Sequence, residues 1–110
     1  MSESAVIKSA PCGEIEGRSE NGVERFLGVR YANANRFEMP RKVEKWQGVL
    51  DASHYSACCP QYRTYHDESL KKNTLWYDEF RRGLGFEYLE DCLNLNVYAP
   101  ADGKDCPVIV

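Results

Sequence analysis

The stretch Glu90-Asp91-Cys92-Leu93-Asn94-Leu95-Asn96-Val97-Tyr98-Ala99-Pro100 joins an acidic turn, a cysteine and an alternating strand. Leu93, Leu95 and Val97 fall on one face of an extended segment and Asn94, Asn96 and Tyr98 on the other, a period of about two residues. Pro100 lacks an N–H donor and so ends the ladder. After a short polar link, Pro107, Val108, Ile109 and Val110 read as the start of a second, fully apolar strand. A β-branched run of that kind belongs in the buried centre of a parallel sheet with neighbours on both edges. Few such neighbours are legible in these 110 residues, so the expectation is the front piece of a larger α/β sheet.

Upstream, the chain reads as a small antiparallel region. Val6 and Ile7 open an extended stretch, residues 12–17 offer a second with Ile15 at its centre, and residues 23–31 form a third. Between the last two, Ser19, Glu20, Asn21 and Gly22 read as a turn, because Asn-Gly tolerates positive φ. The third segment, Phe26-Leu27-Gly28-Val29-Arg30-Tyr31, is mixed in pattern, and Gly28 marks a close approach of backbone or a large side chain. Residues 32–60 read as loops with anchors. Phe37 and Trp46 plug the edge of a core, and a short strand is expected from Val49 to Ala52. One helix is expected near 74–82: Asn73 or Thr74 caps it, Trp76 and Phe80 lie one turn apart, and Gly83 ends it.

Hydrophobic residues make up 43% of the chain and charged residues 28%, with a formal net charge of -3. That balance fits a globular protein and argues against a nucleic-acid partner, since Arg81 with Arg82 and Lys71 with Lys72 are isolated pairs among acids. No apolar run approaches the roughly 20 residues needed to span a bilayer, and the first ten residues lack a signal-peptide core. With Met1 as the native start, the expected location is cytoplasmic. The five cysteines, Cys12, Cys58, Cys59, Cys92 and Cys106, are odd in number and contain no C-x-x-C spacing, so the reading assigns no metal and no cofactor.

In order along the chain, Phe26, Gly28, Val29, Tyr31 and Ala32 match F-x-G-[IV]-x-Y-A; Arg36, Phe37 and Pro40 match R-F-x-x-P; and Trp46, Val49, Asp51 and Ala52 match W-x-x-v-x-D-A. Cys59 and Gln61 match C-x-Q, and Glu90 to Tyr98 match E-D-C-L-x-L-N-V-Y. Together they resemble the N-terminal part of type-B carboxylesterases, the α/β-hydrolase family that includes the cholinesterases. The resemblance implies an α/β-hydrolase domain of which residues 1–110 form the opening part, with residues 59–92 as a loop rimming the substrate pocket. It also implies a pairing of Cys59 with Cys92, although Cys58 beside it departs from the pattern. By loop entropy a bridge there would stabilise by roughly 3 to 4 kcal/mol, while cytosolic conditions favour two thiols. An ion pair of Arg36 with Glu90 is implied as well, worth about 3 to 5 kcal/mol if buried and under about 1 if exposed.

For function, the resemblance implies a serine carboxylic-ester hydrolase acting on small-molecule esters through an acyl-enzyme. Trp76, Tyr77, Phe80 and Phe86 are candidate pocket-rim residues, with plain packing of their helix on the body as the alternative. No catalytic residue is assigned: Ser4, Ser9, Ser19, Ser53, Ser56 and Ser69 lack the flanking glycines of a G-x-S-x-G elbow, and His54 and His66 read as incidental. In the family the H-G-G oxyanion loop follows directly after the strand that Val108 begins. Two other readings stay open: a non-catalytic adhesion-type homologue on the same scaffold, and a free-standing small β binding module.

Overall fold

The computed structural model describes residues 2–60 and 87–110. Strands β1 (Ser4–Ala10), β2 (Gly13–Glu20) and β3 (Val23–Arg30) form an antiparallel meander. β1 and β2 pair without a break from Ser4 opposite Ser19 to Ala10 opposite Gly13. Between β2 and β3 the connection is Asn21-Gly22 alone, with φ of 51° and 80° and Glu20 opposite Val23. Two positive φ values in a two-residue loop match the right-handed twist of the flanking strands. Ser19 and Glu20, expected in the turn, therefore lie in β2.

β2 and β3 pair only over residues 18–20 of β2 and then splay apart. Strand β6 (Val49–Asp51) enters the gap, running parallel to β2 with Ile15 opposite Leu50. Just beyond it, the Ala52 N–H donates to Glu16 O at 2.7 Å and the Leu27 N–H donates to Ala52 O at 2.8 Å. Ala52 is wholly buried there, so the segment satisfies backbone groups that the splay would have orphaned. Two short strands, β4 (Ala32–Asn33) and β5 (Arg41–Lys42), pair as a separate ribbon.

Strand β7 (Asn94–Pro100) lies antiparallel along the other side of β3. Phe26 is opposite Val97 and Val29 opposite Leu95, so three steps along β3 match two along β7. This is a β-bulge. Simple alternation would send Phe26 and Val29 to opposite faces; the extra residue brings both to the same face, with Leu95 and Val97 across from them. Gly28 absorbs the bulge at φ of 66°, and its N–H donates to Asn96 Oδ1 at 2.9 Å. A Cβ on Gly28 would lie 2.9 Å from His54 O, so the expected close approach is one of backbone.

The core gathers Ile15, Phe26 and Ala52, with Val6, Val29, Trp46 and Leu50 against it. Trp46 plugs this edge as expected and donates its indole N–H to Glu14 O at 2.8 Å. Phe37 does not. It is 96% exposed at a φ of 66°, with the Arg36 guanidinium 5.2 Å from its ring centroid. A left-handed backbone at Phe37 turns the ring away from the core and onto its charged neighbour.

Residues 107–110 are also unlike the expectation. They form no strand, and Val108 and Ile109 are 85% and 97% exposed. A β-branched run becomes a buried strand only when ladder partners and a covering layer are supplied, and none is present among the described residues. The helix expected near 74–82 and the rim candidates Trp76, Tyr77, Phe80 and Phe86 lie outside the described residues.

Candidate functional site

Segment 57–60 runs beside segment 87–94 as a two-sided stem. The Cys58 N–H donates to Glu87 O at 2.7 Å, the Leu89 N–H donates to Cys58 O at 3.1 Å, and Cys58 bridges Tyr88 in parallel. Asn94 Nδ2 adds a bond to Ala57 O at 3.0 Å, and the Tyr31 N–H donates to Leu93 O at 3.2 Å. The stem is thereby tied to the end of β3 where Arg30 sits opposite Asn94.

That register sets the electrostatics. Arg30 grips Asp91 with both guanidinium nitrogens, Nη1 to Oδ1 at 2.5 Å and Nη2 to Oδ2 at 2.7 Å, and also reaches Asn33 Oδ1 at 3.3 Å. A planar fork meeting a carboxylate in this way fixes orientation as well as charge. The hydrogen bonds from Arg30 hold the Asp91 carboxyl below its usual range, and Asp91 raises Arg30 in return. The sequence reading did not single out either residue, although Asp91 stands inside the E-D-C motif; only the pairing of β3 with β7 brings Arg30 to it.

Arg36 Nε lies 3.0 Å from Glu90 Oε1, with the two side chains 71% and 65% exposed. Of the two strengths expected for this pair the weaker applies, under about 1 kcal/mol, because water screens it. Arg36, Glu90 and Asp91 line a cleft of ≈ 510 Å³ together with Ala34, Asn35, Pro60 and Leu93. Cys92 opens toward segment 57–60. Its thiol is hydrogen bonded to the Cys59 side chain, and that contact first, then partial burial and the negative potential of Cys59, Asp91 and Cys58, pushes its pKa up. Cys59 is exposed, Cys58 and Cys92 are half-buried, and no disulfide is formed.

Elsewhere, Ser53 Oγ donates to Asp51 Oδ1 at 2.5 Å and its N–H to the same oxygen at 3.0 Å. These two bonds lower the Asp51 pKa and close a local turn after β6. A serine hydroxyl committed to an adjacent carboxylate is a turn element, unlike one handed to an imidazole for nucleophilic attack. Tyr55 and Tyr98 share a hydrogen bond at 2.6 Å between hydroxyls. Among the described residues no group of three or more His, Cys, Asp or Glu is placed to hold a metal ion, and no helix is long and apolar enough to cross a membrane. The stem thus positions a charged cleft lined by Arg36, Glu90 and Asp91 beside the Cys92 thiol.

Residues 4–110 match the sequence model of the carboxylesterase family. The para-nitrobenzyl esterase of Bacillus subtilis (strain 168) is 38% identical over 109 residues, covering 94% of this chain and 20% of that protein. The acylcarnitine hydrolase of Rattus norvegicus is 32% identical over 122 residues, covering 98% of this chain and 21% of that protein. Among solved structures, an esterase from Clostridium hathewayi described as hydrolysing aliphatic aromatic polyesters superposes with a TM-score of 0.63 at 29% identity, covering 89% of this chain and 19% of that one. The structural neighbours are α/β-hydrolase esterases. The chain spans about a fifth of the length of the curated relatives it matches, corresponding to a carboxylesterase N-terminal segment. Since the family's sequence model matches residues 4–110, nearly the whole chain, the chain belongs to the carboxylesterase family.

Proposed function

We propose that this chain is the opening part of a serine carboxylic-ester hydrolase that acts on small-molecule esters, and that its own residues build scaffold rather than catalyse. The observation that carries this reading is the family match across residues 4–110. Nucleophile, base and oxyanion donors are assigned to later parts of the full-length protein, where a serine activated by histidine would form the acyl-enzyme and backbone N–H groups would hold the tetrahedral oxyanion. The role of the present residues is positional: the meander anchors one side of the sheet, the Arg30–Asp91 fork sets the direction in which β7 enters it, and the stem roots residues 59–92 at the pocket rim. Trp76, Tyr77, Phe80 and Phe86 are the rim residues of this proposal.

The test is hydrolysis of para-nitrophenyl and para-nitrobenzyl esters by the full-length protein, together with covalent labelling by a fluorophosphonate that reports an activated serine. Turnover with stoichiometric labelling supports the reading. Absence of both in a folded full-length protein overturns it in favour of a non-catalytic homologue on the same scaffold. Replacing Trp76 and Phe80 by Ala tests the rim separately, since an unchanged ratio of kcat/KM between short and bulky esters would remove these residues from the pocket mouth.

A further inference from the structure

The sheet runs in the order β1, β2, β3 and β7, and among the described residues its end strand β1 has a ladder partner on one side only. Which backbone groups of β1 face outward follows from β2. The Ala52 N–H, just past β6, bonds Glu16 O at 2.7 Å, so Glu16 turns its backbone groups away from β1. Backbone groups alternate in direction along a strand, so Ile15, Gly17 and Ser19 are the residues of β2 that bond β1, through Lys8, Val6 and Ser4 opposite them. The two-residue link Pro11-Cys12 agrees, because its closing pair, Ala10 with Gly13, belongs to the same set. Ala5, Ile7 and Ser9 therefore point their N–H and C=O groups out of the sheet.

The side chains along this edge do little to guard it. Val6 packs against the core, so by alternation Ala5, Ile7 and Ser9 lie on the opposite face, where all three are exposed and Ile7 is 54% so. Edge strands are commonly kept single by free lysines, by proline or by charges that repel an incoming strand. Here the flanking charges are occupied within their own sheet: the Lys8 ammonium lies 3.4 Å from Glu24 Oε1, and Arg25 Nη2 donates to Glu3 Oε1 at 2.7 Å. Proline first occurs at Pro11, past the end of the strand.

We propose that the outer edge of β1 is a self-association surface, at which a second copy of this chain lays its own β1 antiparallel across a two-fold axis at Ile7. Ile7 is the midpoint of Ser4–Ala10, so this register uses the whole strand. It sets Ala5 opposite the partner's Ser9 and Ile7 opposite the partner's Ile7, and each such pair exchanges two N–H···O bonds between groups that already point outward. On the exposed face the two isoleucines pack on each other between small Ala5 and Ser9 neighbours. On the other face Lys8 falls opposite the partner's Val6, so no like charges meet. Neighbouring registers are worse: an axis at Lys8 would set two ammonium groups directly opposite, and an axis at Val6 would carry Ala10 past the partner's strand to Ser2. One strand edge is a small contact, so the dimer is a weak one that dissociates on dilution.

Sedimentation velocity of the full-length protein over a concentration series, with amide exchange on the same samples, is the test. The expected result is a monomer–dimer equilibrium in which the Ala5, Ile7 and Ser9 amides exchange fast in the dilute protein and slowly in the concentrated one. Ala5→Pro removes an outward N–H and leaves the β1–β2 ladder whole, and Ile7→Lys sets like charges across the axis. Each variant should lose the dimer while keeping the urea midpoint of the dilute parent. The proposal is overturned by a monomer at every concentration or by a dimer that either folded variant retains. It is equally overturned by slow exchange at Ala5, Ile7 and Ser9 in the dilute monomer, which would assign the edge to another segment of the same chain. None of these readouts depends on ester hydrolysis.

Discussion

Replacing Gly28 by Ala tests the bulge at the centre of the sheet. Two costs are separable. The first is conformational: a φ of 66° is left-handed, and an L-residue held there loses roughly 1 kcal/mol or somewhat more. The second is steric, because the new Cβ would lie 2.9 Å from His54 O, 2.9 Å from Ser56 Cβ and 3.0 Å from Ser56 N. Two of the three neighbours are backbone atoms of a segment that cannot swing aside like a side chain, so a crowding cost of about 1 to 3 kcal/mol is expected. Gly22→Ala is the internal control. Its φ of 80° carries the same conformational cost, but nothing lies within 4 Å of its Cβ. Both substitutions reduce the freedom of the unfolded chain equally, so that contribution cancels in the difference. Urea unfolding of the full-length protein, followed by tryptophan fluorescence, should therefore show Gly28→Ala less stable than Gly22→Ala by about 1 to 3 kcal/mol. Equal losses at the two positions would refute the claim that the 54–56 backbone packs onto the bulge.

Arg36→Gln should lower stability by less than about 1 kcal/mol in the same assay, because the Arg36–Glu90 pair is mostly exposed. Arg30→Gln should cost more than Arg36→Gln, since it breaks a bidentate fork and its side chain is the less exposed of the two, 38% against 71%; the reverse order would discredit the assignment of Arg30 as the main clamp. The folded-state pKa values of Asp91 and Asp51 are both depressed, so their contribution is fully present above the unfolded carboxylate value of about 3.9 and is lost as pH falls through the lower folded values. Asp91→Asn should accordingly flatten the acid limb of a stability–pH curve and leave the neutral-to-alkaline part parallel to that of the parent. Trp46→Phe keeps most of the ring packing but leaves Glu14 O without its indole donor, for a loss of about 0.5 to 1.5 kcal/mol measured by urea midpoint.

The elements legible in the sequence are those governed by short-range chemistry. Asn21-Gly22 takes two positive φ values because these residue types tolerate them, and Gly28 sits where a side chain has no room. The stretch from Val49 forms its short strand, and Trp46 anchors the core by both its ring and its N–H. The five motifs identified the family from residue types and spacing alone, and the comparisons agree with that identification. Phe37 shows the limit of such reading: an aromatic in a matched motif was expected in the core, and a left-handed backbone holds it outside.

What the sequence by itself determined is the turn chemistry and the strand periodicity, which depend on residues within a few positions of one another, and the family, which depends on the order of five short motifs along the chain and on no contact between them. Tertiary structure alone decided which edges meet. The parallel entry of β6 between β2 and β3, the bulge that places Phe26 and Val29 on one face, and the fork of Arg30 on Asp91 all depend on register between segments separated by tens of residues. Register is set by the joint satisfaction of backbone hydrogen bonds and side-chain burial across a whole sheet, and no local pattern encodes that sum. The opening stretch shows both parts. Its alternation marked a strand and its E-D-C motif marked a family, while the pairing of that strand with β3 made Asp91 a clamp and put Cys92 against Cys59.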